Sequence, residues 1–261
     1  MVKIKGILFD LGNTVLDFGE VDTLELFEQG GRLAYGFLKD LGQPAPPFKT
    51  FYRRQLRAVR WAYFKSRLIG REFNSLDVLR RLSRSMGQSL NDGQMVELAW
   101  LWYQPLSEQA SVEPGLGEVL DGLVSGGIRL AVISNTFVPG AVLDRHLQKL
   151  DLLRRFPDRI YSCDCGYRKP DERIFRLALE RLGLAPEEAM LVGDTLQADV
   201  AGANRAGIVS VLKDPSGTRR SRRIVPAHRI GSLRQLPEVV ARYNGGPGAP
   251  VTAPGSRRTG E

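Results

Sequence analysis

A chain of 261 residues, 43% of them hydrophobic, can bury one large core or two smaller ones, and its two cysteines exclude a disulfide-dense secreted scaffold. The formal charge of +8 raises the question of nucleic acid, but residues 213–261 hold ten basic and three acidic side chains, against 27 and 26 in residues 1–212. The body is therefore near neutral, and with no signal-peptide pattern and no apolar run near the roughly 18 residues of a membrane helix, a reduced, cytoplasmic protein is expected.

In chain order, residues 3–10 form a short apolar run ending on Asp10, which predicts a buried strand with the acid at its carboxyl end. Residues 20–108 then read as helix throughout. Leu24, Phe27, Leu38 and Leu41 mark the first helix, weakened at Gly30-Gly31, and a Pro-rich break follows at residues 43–48. Residues 50–69 predict a long helix rich in Arg and aromatics. Ser75 reads as the N-cap of a third helix to Met86, and Asn91 as the N-cap of a fourth through Trp102. Beyond Ser111 the pattern alternates. Apolar runs at residues 128–134, 159–162, 189–194 and 207–212 predict strands, separated by helical spacing at 116–123, 141–153, 174–182 and 199–206. Such alternation predicts a parallel sheet covered on both faces, with its chemistry at the carboxyl ends of the strands. Asp10, Ser134 and Asp194 fall at those ends.

Four local features carry chemistry in order: Phe9-Asp10-Leu11-Gly12-Asn13-Thr14; Val132-Ile133-Ser134-Asn135; Lys169-Pro170-Asp171; and Gly193-Asp194 with Asp199 five residues on. A carboxylate at a strand tip suits attack on phosphorus, a hard divalent cation and a lysine would neutralise the charge, and hydroxyl and N–H groups would hold the phosphoryl oxygens. At this order and spacing the array resembles the haloacid dehalogenase-like (HAD) superfamily, subfamily I, over roughly residues 4–240. The resemblance implies an α/β fold: a Rossmann-like three-layer core with a parallel sheet, residues 1–18 and 112–242, and an α-helical C1-type cap inserted at 19–111. Residues 243–261, rich in Gly and Pro, are expected to be a disordered tail.

The resemblance also implies roles. Asp10 is the nucleophile and a metal ligand, Asp194 a metal ligand, and the Gly12 carbonyl a further ligand to Mg²⁺. Ser134, the Asn135 backbone N–H and Lys169 bind phosphate, Ser134 and Lys169 as part of the catalytic set, while Asp199 is a supporting acid. The implied activity is Mg²⁺-dependent hydrolysis of a small phosphorylated metabolite through an aspartyl-phosphate. The sequence departs from the family's Asp-x-Asp-x-Thr pattern at Gly12, which lacks the side chain that protonates the leaving oxygen and activates water. A leaving group already stable as an anion suffers least from that loss. The same departure opens two alternatives: a 2-haloacid dehalogenase-type hydrolase, whose halide needs no proton, and a non-catalytic binding protein.

Four features lie outside this array. Between Lys49 and Arg84 there are eleven basic and two acidic residues, with Arg53, Arg57 and Arg60 on one helical face near Trp61, Tyr63 and Phe64. A solvated cationic face with its aromatics packed inward is expected there, the alternative being a surface that attracts an anionic substrate. Trp100, Trp102 and Tyr103 read as helical core. Cys163 and Cys165 read as free thiols, and His146 and His228 as surface residues. Arg219, Arg220, Arg222 and Arg223 predict a solvated basic loop open to an anionic partner, with no specific nucleic-acid or membrane binding.

Overall fold

In the computed structural model, which describes residues 3–245, the first apolar run forms strand β1 (Gly6–Phe9), buried along its whole length. Four helices follow before the next strand: α1 (Thr23–Asp40), α2 (Phe48–Ile69), α3 (Ser75–Ser85) and α4 (Asp92–Gln109). The chain then alternates through α5 (Leu116–Ser125), β2 (Arg129–Ser134), α6 (Gly140–Lys149), β3 (Asp158–Tyr161), the single turn α7 (Ser162–Cys165), α8 (Glu172–Leu182), β4 (Ala189–Gly193), α9 (Ala201–Arg205), β5 (Val209–Lys213), β6 (His228–Ile230) and α10 (Leu236–Asn244). All six strands are parallel, in the order β3-β2-β1-β4-β5-β6.

Period-two alternation sends the central strands' side chains to two separate cores. Ile7, Phe9, Leu130, Val132, Met190 and Val192 pack on the side that carries α5, α6 and α10. Leu8, Ala131, Ile133 and Leu191 pack on the other, against Ile174, Phe175 and Ala178 of α8. The sheet is thus a middle layer between two helical ones, the α/β architecture expected of near-continuous apolar strands.

The first of these cores continues into the four-helix insertion through Leu38, Phe51, Leu98 and Trp100. Gly30-Gly31, which weakens α1 in propensity, is there for contact. A Cβ on Gly30 would lie 2.4 Å from the Trp102 carbonyl oxygen, so α1 and α4 approach backbone to backbone only because Gly30 has no side chain. The connections into and out of the insertion are tied together at an antiparallel bridge, in which Asp17 and Ser111 exchange N–H···O bonds of 2.8 Å each way.

Several expectations need correction. Asn74 caps α3 through its side chain, 2.9 Å from the Leu76 N–H, and Ser75 is the first helical residue. Helix α4 runs on past Trp102 to Gln109 and holds Pro105 inside it. Strand β6 was hidden in sequence because it is three residues long and mostly polar. Tyr243 and Asn244, assigned by sequence to a disordered tail, complete α10, and the Asn244 side chain bonds both the N–H and the carbonyl of Ile4, at 2.8 and 2.9 Å. Residues 246–261 of that expected tail lie outside the described residues. Trp61, Tyr63 and Phe64 of α2 do not pack inward: Trp61 and Phe64 are 66% and 54% exposed. No helix among the described residues is long and apolar enough to cross a membrane.

His146 departs furthest from its expected surface position. It is 1% exposed on α6, where its Nδ1 lies 2.9 Å from the Tyr103 hydroxyl of α4. Burial, with Lys149 adding repulsion, pushes the imidazole from 6.5 down to about 4. Between those values the unfolded chain takes up a proton that the folded chain does not. The neutral imidazole's stabilisation is therefore complete above pH 6.5 and is lost as pH falls toward 4, by about 3 kcal/mol in all. Calorimetric melts of His146→Gln should lose stability less steeply than the parent between pH 6.5 and pH 4. Parallel curves would remove His146 as the source.

Candidate active site

Adjacent parallel strands bring two acids to one edge. Phe9 of β1 stands opposite Val192 of β4, so Asp10 and Asp194, each just past its strand, emerge together at the carboxyl end of the sheet. Asp199 arrives from the π-helical turn Leu196–Val200 that follows Asp194. All three are buried, and one carboxylate oxygen from each lies within 4.8 Å of the others. Gly193 permits this closeness, since a Cβ there would sit 2.3 Å from Asp199 Cγ.

Lys169, in the loop before α8, reaches into the same point. Its Nζ donates to Asp10 Oδ1 and to Asp199 Oδ1, both at 2.6 Å, and the side chain is 1% exposed. The lysine is held by its backbone: the Asn135 carboxamide accepts from the Lys169 N–H at 2.7 Å and donates to the Lys169 carbonyl at 2.8 Å. Sequence reading gave Asn135 a backbone role only, and motif spacing carries no signal for this side-chain clamp. Thr14 and Thr195 complete the ring of hydroxyls. Thr14 Oγ1 donates to Asp10 Oδ2 at 3.3 Å, and Thr195 bonds Asp199 Oδ2 through its hydroxyl and, at 2.9 Å, its N–H. Ser134 ends β2 with 5% exposure and lines the cleft above Asp10.

Burial, reinforced by Asp199 and Asp194 and opposed by Lys169, holds the Asp10 carboxyl above the usual carboxylate range. Burial also opposes the Lys169 ammonium, but Asp10 and Asp199 outweigh it and hold it above the usual lysine range. Asp194 is likewise raised, by burial and then by Asp199. Three buried carboxylates share one buried ammonium, so the cluster carries excess negative charge. An all-oxygen set of that charge fits a hard divalent cation. Asp10 and Asp194 line the cleft whereas Asp199 does not and is 1% exposed, so Asp10 and Asp194 are the acids that a cation in the cleft would meet.

Gly12 lines the cleft two residues beyond Asp10. Its φ is not positive, and the nearest atom to a Cβ placed there is Phe18 Cε2 at 3.9 Å. Neither space nor backbone conformation demands a glycine. The turn beyond it does have a special residue: Asn13 adopts φ 57°, a left-handed conformation that Asn tolerates, and its N–H bonds the Leu16 carbonyl at 2.6 Å. Lys213, buried at the end of β5, anchors this loop by donating to the Thr14 carbonyl at 2.7 Å, with Glu113 as its counter-ion at the same distance.

The insertion roofs the site. Between α2 and α3, Phe73 stacks on Phe137 at 5.3 Å, the Ser75 N–H bonds the Phe137 carbonyl at 2.9 Å, and Asn74 Nδ2 donates to Asp164 at 3.0 Å. The Glu72 side chain, 5% exposed, accepts from Ser66 and Ser162 at 3.3 Å and faces Arg168 at 3.8 Å. The cleft holds about 960 Å³ above Asp10, and Tyr63, Arg67 and Arg168 stand in its walls. Tyr63 and Arg67 belong to the basic segment for which the sequence left open a surface attracting an anionic substrate, but which of its residues reach the cleft depends on helix packing that follows no local pattern.

The basic loop is not simply solvated. Arg219 Nη2 lies 3.3 Å from Asp194 Oδ2, and Arg220 and Arg229 face the buried Asp214 at 3.8 and 3.2 Å, while Arg222 and Arg223 stay exposed. Arg219 therefore belongs to the electrostatics of the site. Cys163 and Cys165 are free; burial, then Asp164, pushes the Cys163 thiol up.

Known proteins share both sequence and architecture. A ribulose-1,5-bisphosphate 5-phosphatase of Halopiger xanaduensis is 27% identical over 258 residues, covering 90% of this chain and 98% of its own. A phosphoserine phosphatase of Thermus thermophilus is 38% identical over 113 residues, covering 42% of this chain and 43% of its own. Among solved structures, a HAD phosphatase from Thermococcus onnurineus superposes with a TM-score of 0.59 at 24% identity, over 91% of this chain and 98% of that one. A 2-haloacid dehalogenase from Pseudomonas syringae reaches 0.64 at 22% identity, over 92% and 99%, and at such identities the likeness concerns the fold alone. The haloacid dehalogenase-like hydrolase family matches residues 4–207, the span that contains Asp10, Lys169, Asp194 and Asp199, and the chain belongs to that family of hydrolases.

Proposed function

We propose that the protein hydrolyses a small phosphomonoester in two steps, with Asp10 as nucleophile. The observation that carries this reading is the Asp10 carboxylate, which leaves the sheet edge into a roofed cleft and is oriented from one side by Lys169 and from the other by Thr14. Relatives named as phosphatases support the reaction class.

In the first step a carboxylate oxygen of Asp10 attacks phosphorus. The ester P–O bond breaks, its electron pair leaves on the alcohol oxygen, and an aspartyl-phosphate remains. Water then opens that acyl phosphate and releases inorganic phosphate. Lys169 offsets the repulsion between two anions, and Ser134 and the Asn135 backbone N–H suit the transferring oxygens. Asp10, the Gly12 carbonyl and Asp194 would hold Mg²⁺, which supplies charge neutralisation for the phosphoryl group. The helical insertion serves as the cap that excludes water and selects substrate. Gly12 offers no proton to the departing oxygen, so the reading favours aryl, acyl or anomeric phosphates over alkyl phosphates.

Asp10→Asn should reduce phosphate release from p-nitrophenyl phosphate to background while leaving the melting temperature near the parent's; full activity in that variant would sink the nucleophile. Exhaustive chelation should abolish turnover, and MgCl₂ should restore it. Persistent activity without divalent cations, with halide released from a 2-haloacid, would instead support a dehalogenase. In the parent, log kcat should fall steeply as leaving-group pKa rises. Gly12→Asp, for which there is room, should flatten that slope and raise turnover of alkyl phosphates by about 10²–10⁴-fold. Equal rates on aryl and alkyl phosphates in the parent would contradict the role given to Gly12.

A further inference from the structure

Helix α2 turns a line of cationic and apolar side chains to solvent. Arg53, Arg57, Trp61, Phe64 and Leu68 follow one another at steps of four, four, three and four residues, which sets them along one side of the helix. All five are exposed, Trp61 and Leu68 at 66% and 70%. The line is cationic over its first half and apolar over its second. There the Trp61 and Phe64 rings lie 5.9 Å apart, and Ile69, also exposed, widens the apolar end. Contiguous exposure of four large apolar side chains forfeits hydrophobic free energy and marks an interaction surface.

The charge on this helix is not neutralised within the fold. Residues 48–69 hold seven Lys and Arg and no acidic residue, and all seven cations are exposed. Among the described residues none of the seven forms an ion pair. On the helices that pack against α2, Glu28 of α1 pairs with Arg32, and Asp77 of α3 faces Arg80. Beside the apolar end, Arg71 and Arg81 join Trp61, Lys65 and Ile69 around a groove of about 600 Å³ between α2 and α3. Glu72, the acid among the groove's lining residues, keeps its carboxylate on Ser66 and Ser162.

A partner for this face has to supply negative charge and take up aromatic and aliphatic side chains together. A second copy of the face would set cations against cations. A nucleic acid offers phosphates, and bases on which Trp61 and Phe64 can stack, but no apolar volume for Leu68 and Ile69. An anionic bilayer offers both. Its headgroups meet guanidinium groups on long stems, and indole, phenyl and aliphatic side chains enter the boundary between headgroups and acyl chains. We propose that α2 docks the protein on a membrane surface rich in anionic lipid. Trp61, Phe64 and Leu68 insert at the boundary, while Arg53, Arg57, Arg60 and Lys65 lie at the lipid phosphates. The docking is independent of the reaction at Asp10.

Flotation of the full chain with vesicles tests this. At physiological ionic strength the protein should float with equimolar phosphatidylcholine and phosphatidylglycerol and stay behind with phosphatidylcholine alone. Binding should blue-shift tryptophan emission, and the shift should vanish in Trp61→Phe, since Trp100 is buried and Trp102 half-buried. The double variant Trp61→Ser/Leu68→Ser should bind about tenfold more weakly. Arg53→Gln/Arg57→Gln should lose about thirtyfold. Arg222→Gln/Arg223→Gln removes as many exposed cations from the loop beyond β5 and should bind like the parent. Thermal melts establish that each variant is folded. No flotation with phosphatidylglycerol, equal flotation with phosphatidylcholine alone, or equal losses in the two arginine variants would overturn the proposal. So would binding of polyuridylate without flotation, which would give the face to nucleic acid. Dimerisation lost in Trp61→Ser/Leu68→Ser, again without flotation, would give it to a second copy and overturn the proposal as well.

Discussion

The buried ion cluster of Lys169 with Asp10 and Asp199 is the constraint around which the rest of the molecule is organised. An ammonium at 1% exposure survives only if paired at close range, and removing the lysine would leave buried carboxylates with no ammonium among them. Each neighbouring feature serves that pairing. Asn135 fixes the lysine backbone, Thr14 and Thr195 occupy the remaining carboxylate oxygens, and Gly193 gives Asp199 room to lie over the end of β4. The cluster is ordered by all of these before any substrate arrives, which is the condition for electrostatic work at low reorganisation cost.

The sheet supplies position and the insertion supplies enclosure. Because β1 and β4 are neighbours in parallel register, two acids far apart in sequence leave the same edge side by side. Among the contacts between insertion and core are the Asp17–Ser111 bridge, the Tyr103–His146 hydrogen bond and the Phe73–Phe137 stack. These contacts surround the cleft, so residues of α2 and α4 face the chemistry without belonging to the sheet. Arg219 adds a positive charge from beyond β5, in the segment where sequence alone suggested a solvated basic loop open to an anionic partner.

Elements with strong local patterns were legible in sequence. The apolar runs of β1, β2 and β4 and the acids at the ends of β1 and β4 follow directly from alternation and strand-end logic. Asp10, Lys169, Asp194 and Asp199 were likewise readable as a group, and they do converge. What escaped has a common cause. Strand β6 is too short to show a period, His146 looks like any polar residue on a helix, and Asn135's clamp on Lys169 depends on the path of a loop rather than on spacing. Trp61 and Phe64 defeated the rule that aromatics turn inward, because burial depends on which face of α2 meets its neighbours.

The position of β1 in the sheet has a consequence for the order in which the protein can assemble. Gly6 pairs with Arg129 on one side and Ala189 on the other, so the strand that ends at Asp10 has no partner within its own neighbourhood of the chain. Every hydrogen bond that straightens it is long-range, and the loop-closure entropy for those pairings is met late. A growing chain can pack α1 through α4 from nearby sequence well before β1 finds either neighbour. The first reactive group to be synthesised is thus among the last to be set in place, and a partly made chain carries the carboxylate without the pocket.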